Sequence, residues 1–219
     1  MTSDRSAPLP TTAIVRIWWR RHQPRLADGT RNPDADRAAM ARLRRAGVAD
    51  ALADPAVLDL YRRLGLGASD RALAERLPWV AAVATVLAHV REDAPADGAG
   101  RRTHPARAAG RKHFDDPPET AIVKPMRFRR LLTARAVEEV ERQMRRLVAV
   151  LPPGAIDVGA LGRSILDWPD PGRGDRTRTR WAFEYHAAGE ATPRDAQSTL
   201  PDEPALPNEP DAPNAEATP

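Results

Sequence analysis

Apolar residues in this chain recur at three- and four-residue intervals, and the runs are punctuated by Asp, Asn, Ser, Pro and Gly. That period lines up side chains on one face of an α-helix, and the punctuating residues are helix caps. A first helix sets Ile14, Ile17 and Trp18 on one face and stops at Pro24. NPDADRAAMARLRRAG predicts a helix with Asn32 as N-cap, Pro33 in the first turn and Gly47 as C-cap. DPAVLDLYRRLG repeats the device, with Asp54 as cap, Pro55 after it, apolar Leu58, Tyr61 and Leu64, and Gly65 at the end. SDRALAERLPWVAAVATVLAHVRE reads as a longer helix with Leu73, Leu77, Val80, Val83, Leu87 and Val90 inward. Pro78 should kink it or split it in two.

The pattern breaks from Glu92 to about Thr120, a stretch rich in Gly, Pro and charge with one short helical piece at HPARAAG. It is expected to be a linker or mobile loop. A helix then carries Phe128, Leu131 and Leu132 on one side and Arg130 on the other. AVEEVERQMRRLVAVL is the strongest helix, with Val137, Val140, Met144, Leu147, Val148 and Leu151 in one stripe and Pro152 ending it. DVGALGRSILDW follows with Asp157 as cap, then a helix from about Arg176 to His186. No strand alternation and no internal repeat is visible. The expected fold is all-α: an N-terminal bundle over 12–91, a linker over 92–120, a C-terminal bundle over 121–187 and a tail over 188–219.

Charge divides the chain further. Residues 190–219 hold seven acids and one base, a net charge of −6. The other 189 residues hold 33 bases and 23 acids, a net charge of +10. The tail is acidic, Pro-rich and almost devoid of large apolar groups, so it should be disordered. Lys112 and Lys124 are the two lysines, and the other bases are arginines. A GC-rich genome explains that ratio, so nothing rests on it.

Catalytic and metal chemistry find little support. His22, His89, His104, His113 and His186 form no H-E-x-x-H motif and have no carboxylate at ligand spacing. GLGASD (65–70) follows a helix and reads as a C-cap joined to an N-cap. Ser164 lacks the closing glycine of a nucleophile elbow. GRGD (172–175) contains the adhesion tripeptide RGD, which recurs by chance and has no use in a protein expected in the cytoplasm. Cysteine is absent, which excludes disulfides and fits a reducing compartment. The start MTSDRSAPLPTT lacks the apolar stretch of a signal peptide, and no apolar run reaches the ~18 residues of a membrane span. No enzyme activity, metal or cofactor, membrane or small-molecule substrate is expected.

The arginines are more informative. IVKPMRFRRLLTA (122–134) has Lys124, Arg127, Arg129 and Arg130 and no acid; Glu119 and Glu138 are the nearest. Arg101–His113 is a second acid-free basic run, and RGDRTRTRW sets Arg173, Arg176, Arg178 and Arg180 against one acid. Elsewhere neutralisation is local: Glu138 with Arg142 and Glu141 with Arg145 stand at i,i+4 in the favoured order. Arg145 could still reach outward, and Arg146 faces out without an acid. Arg44 and Arg45 end a helix, where the dipole favours them as much as any ligand does. Recurrent unneutralised charge on a helical body is the footprint of a phosphate backbone. Without helix-turn-helix spacing or a zinc motif, it points to backbone contact rather than base readout.

IVRIWWRRHQP, AAMARLRRAG, VKPMRFRRLLTA, RQMRRLVAVLP and LDW…RTRTRWAFEYH, in this order, resemble the CasB family over residues 12–187. That family is the small subunit of the type I-E CRISPR surveillance complex, Cascade. The resemblance implies a non-catalytic all-helical protein with two bundles. It implies as partners the other Cascade subunits, the guide RNA, a second copy of the chain and target DNA. It carries a nucleic-acid-binding role onto Arg44, Arg45, Arg71, Arg127, Arg130, Arg145, Arg146, Arg176 and Arg178. The acidic tail and the long stretch at 92–124 depart from the family pattern. Two other readings remain: a helical scaffold whose basic face meets acidic protein partners, and an independent DNA-binding regulator, against which the missing base-reading helix argues.

Overall fold

A computed structural model describes residues 9–25 and 29–189; the acidic tail expected to be disordered lies outside the described residues. The chain order is α1 (Thr11–Arg21), α2 (Arg37–Arg45), α3 (Val48–Ala51), α4 (Pro55–Arg63), α5 (Asp70–Leu87) and α6 (Pro105–Ala109). A 3₁₀ turn (Pro118–Thr120) precedes α7 (Pro125–Thr133), α8 (Val137–Val150), α9 (Val158–Asp167) and α10 (Pro171–His186). Among the described residues there is no strand, only two isolated bridges, Arg25 with Arg31 and Asp93 with Ile156. The fold is all-α.

The caps that punctuate the sequence set most helix starts. Asp54, Ser69, Asp157 and Asp170 each accept a hydrogen bond from the first turn of α4, α5, α9 and α10. Helix α2 differs from expectation. Its N-cap is Asp36, which accepts from the Ala39 amide, and Gly47 caps α3 rather than closing α2. Asn32 is buried, and its amide donates to the Arg21 and Gln23 carbonyls at 3.0 Å each. Those carbonyls at the end of α1 need donors, and Asn32 supplies them in place of a cap.

Helix α5 is the hub. It packs on α2, α3 and α4 from the first half of the chain and on α8 and α9 from the second. Every residue from Trp79 to Leu87 is buried, so this segment has no solvent face. α5 runs through Pro78 without splitting. A proline removes one backbone bond at a cost of about 3 kcal/mol, and nine consecutive buried residues after it offset that loss.

Helix α1 turns Val15, Trp18 and Trp19 inward, while Ile17 is 43% exposed and off the expected face. The two indoles fix that rotation: Trp18 Nε1 donates to the Ala56 carbonyl and Trp19 Nε1 to the Leu87 carbonyl, both at 3.1 Å. α1 lies close on α9 because Gly159 and Gly162 face it. A Cβ on Gly159 would stand 2.6 Å from the Thr12 carbonyl oxygen, and one on Gly162 2.5 Å from Val15. Arg16 closes the contact, with Asp93 at 3.0 Å and Asp157 at 2.5 Å.

The stretch 92–120, expected as a linker, holds α6, whose Ala106 and Ala109 are buried and which packs on α10. α10 starts at Pro171, earlier than expected, because the Asp170–Pro171 cap outweighs Gly172 and Gly174 as breakers. Gly174 is needed there: a Cβ would stand 2.4 Å from the Trp168 carbonyl oxygen.

Candidate nucleic-acid interface

Helix α7 is short, and its rotation is set by aromatic packing. Phe128 and Leu131 are buried, and the Phe128 ring stacks on Tyr185 of α10. Tyr185 Oη donates to the Val123 carbonyl at 2.7 Å just before α7, and Trp168 Nε1 donates to the Ala134 carbonyl just after it. With both ends and the inner face held, Arg127, Arg129 and Arg130 are exposed. Among the described residues none of the three side chains has a hydrogen bond or an ion pair. Lys124 differs: its ammonium donates to the Glu119 carbonyl.

Helix α8 runs alongside α7 and turns Gln143, Arg146, Leu147 and Val150 toward it. The two helices enclose a groove of about 460 Å³, which Arg127 and Arg130 line from α7 and Arg146 lines from α8. Among the described residues Arg146 also has no partner. The structure therefore gathers three of the nine sequence-predicted arginines around one concavity, whose apolar lining is Ile122, Ala149 and Val150 above the buried Leu131 and Leu147. Val150 is 46% exposed.

The other six are dispersed. Arg45 and Arg176 are exposed, on α2 and α10, and are unpaired among the described residues. Arg71 is exposed but pairs with Glu75 at 2.8 Å within α5. Arg44 donates to the Ala88 carbonyl at 2.6 Å, at the C-terminal end of α5. Arg145 is turned inward. It sits 2.5 Å from Glu141, and it donates to the Leu43 and Ala46 carbonyls at the end of α2. Arg178 bonds the Trp168 carbonyl at 3.1 Å and Asp175 at 2.5 Å, and lies over the Trp168 ring. Arg44 and Arg145 thus neutralise the carbonyl ends of helices other than their own. Among the described residues Glu138 and Arg142 form no ion pair, in line with the small worth of an exposed i,i+4 pair.

Two histidines are tuned by this packing. Burial holds the His104 imidazole down at about 4, with Glu184 opposing and Arg180 reinforcing the shift. Its Nδ1 caps α6 by accepting the Ala106 amide. Burial, then the charges of Arg145 and Arg44, also lower His89. Burial raises Glu141 against the pull of Arg145.

Gln143 and Val150 escaped the sequence reading as site residues. Their spacing with Arg146 and Leu147, at i, i+3, i+4 and i+7, was a usable signal for one shared face. Among the described residues no group of three or more His, Asp or Glu could hold a metal ion, and no helix is long and apolar enough to cross a membrane.

No curated protein and no solved structure gives a significant match to the chain. The sequence model of the family described as CRISPR-associated protein Cse2 matches residues 39–186, which include every helix from α3 to α10 and the whole groove. The chain belongs to that family, CasB, the small subunit of type I-E Cascade.

Proposed function

We propose that this small subunit contacts the DNA strands of the R-loop through basic residues and so stabilises target binding in antiviral defence. One observation carries the reading: Arg127, Arg130 and Arg146 line one groove, and none has a partner among the described residues. Three guanidiniums drawn together without a carboxylate repel one another, and phosphate is the ligand that their planar forks fit. Arg45 and Arg176 extend the contact surface. Arg44 and Arg71 contribute through the donors their present partners leave free, while Arg145 and Arg178 hold the fold.

Guide pairing supplies sequence specificity, so backbone contact suffices for such a subunit. R-loop formation is a near-balanced exchange, and modest protein contacts tip it. The role needs no catalysis and no cofactor. Its partners are the other Cascade subunits, the guide RNA, target DNA and a second copy of the chain, in the cytoplasm.

A scaffold reading has one observation in its favour. Phe183 is 66% exposed on α10 near Arg180 in the chain, and exposed aromatics with arginine mark protein interfaces. Photocrosslinking in the assembled complex separates the two. DNA crosslinks on α7 and α8 are expected. Crosslinks from these helices to protein alone would replace the DNA reading with the scaffold.

A further inference from the structure

We infer that the groove between α7 and α8 is a binding site for one unpaired nucleotide, its base against the apolar lining and its phosphates on the three arginines. The inference rests on the nucleic-acid reading above and adds a base to it. A site for phosphate alone needs cations and water. This groove also presents Ile122, Ala149 and Val150 over the buried Leu131 and Leu147, and Val150 stays 46% exposed. An apolar partner alone would leave three arginines unneutralised against it, at a desolvation cost. An anionic group joined to a flat apolar body meets both halves of the lining, and a nucleotide is that ligand.

Size and polarity agree. The volume of about 460 Å³ lies within the range of about 300–1,000 Å³ typical of small-ligand sites. Gln143 stands in the groove half-buried, and its side-chain amide has no hydrogen-bond partner among the described residues. An amide offers both donors and an acceptor, so it can meet the polar edge of a base. A base stacked and paired in a duplex cannot enter such a groove without being extruded, which costs a few kcal/mol. The site therefore selects single strands. It tolerates different sequences, because every base has an apolar face.

The test is fluorescence anisotropy on the full chain with three probes of matched length: oligothymidylate, its abasic counterpart and a duplex. Oligothymidylate is expected to bind about fivefold or more tightly than the abasic strand, which carries the same phosphates. Val150→Ser and Gln143→Leu should narrow that gap while leaving abasic affinity and melting temperature unchanged. Equal affinity for the natural and abasic strands overturns the inference. If both are then weakened by Arg127→Ala with Arg130→Ala, phosphate contact stands without the base site. If neither is weakened, the nucleic-acid reading falls with it. Displacement of oligothymidylate by a peptide of alternating Glu and Leu at similar concentration also overturns the inference, in favour of a protein occupant.

Discussion

The Phe128 and Tyr185 rings stack with centroids 3.9 Å apart and planes 10° from parallel. This contact joins α7 to α10 and decides which way the arginines of α7 point. Phe128 is buried, and Tyr185 also holds the Val123 carbonyl, so the stack and the hydrogen bond act on the same turn. Phe128→Ala is expected to cost about 3–5 kcal/mol by leaving a cavity. Thermal melting would register it as a large drop, and Phe128→Leu should recover part of it. A melting temperature equal to that of the wild type would remove the stack as the anchor of α7.

Arg127→Ala combined with Arg130→Ala should behave in the opposite way. Both side chains are exposed and unpartnered among the described residues, so each change should cost under about 0.5 kcal/mol of stability. Target binding by the assembled complex should weaken across sequences. The slope of log K against log salt should flatten by roughly 0.9 for each phosphate the variant no longer neutralises. An unchanged slope would place the arginines elsewhere than on DNA.

Arg145→Ala supplies the contrast. The guanidinium lies beside the buried Glu141 and caps the end of α2. Removing it strands a carboxylate, at a cost of roughly 3 kcal/mol. Glu141→Gln in the same chain should restore part of that stability. DNA affinity of the folded protein should change far less than for the α7 pair. Loss of DNA affinity without loss of stability would reverse this assignment.

His104 predicts a pH dependence with a definite sign. Its imidazole is held at about 4 in the fold and relaxes to an ordinary value of ~6.5 on unfolding. Between those values the unfolded chain binds a proton that the folded chain refuses. Stability is therefore complete above about pH 6.5 and falls as the pH drops toward 4, by roughly 3 kcal/mol in all. His104→Asn keeps a side-chain acceptor for the Ala106 amide and removes the titration. Melting curves from pH 7 to 4.5 should show a shallower decline for the variant, and parallel curves would exclude His104 as the source.

Gly159→Ala should push α1 off α9. Its added Cβ meets a backbone carbonyl at 2.6 Å, where no side-chain rotamer can relieve the contact. A loss of about 1–3 kcal/mol is expected. Ala149→Gly, on an exposed position of α8, should cost about 1 kcal/mol through helix propensity alone. A gain in stability from Gly159→Ala, the mirror of the Ala149→Gly loss, would mean that α1 and α9 adjust freely.

Elements with strong local signals were legible from the sequence. The caps Asp54 and Asp157 stand next to the helices they start, because a cap bonds backbone only two or three residues away. The stripe of α8 was equally plain, with Val140, Met144, Leu147 and Val148 all buried. Helix α1 was less so. Two adjacent tryptophans fit more than one apolar face, and only their carbonyl partners on α4 and α5 choose between them. Asn32 misled because its side chain carries both an oxygen that can cap a helix and an amide NH2 that can tether distant carbonyls, and here the NH2 holds the end of α1.

The helices, the all-α class, the surplus of unneutralised arginine and the family could all be read along the chain. Each follows from neighbours within a turn or two, or from the order of motifs. What the arginines face could not be read that way. Arg145 and Arg146 are adjacent, yet one turns to the carbonyls closing α2 and the other to the groove beside α7. Adjacent residues on a helix point about 100° apart, so which of them meets protein and which meets solvent depends on the helices packed around them.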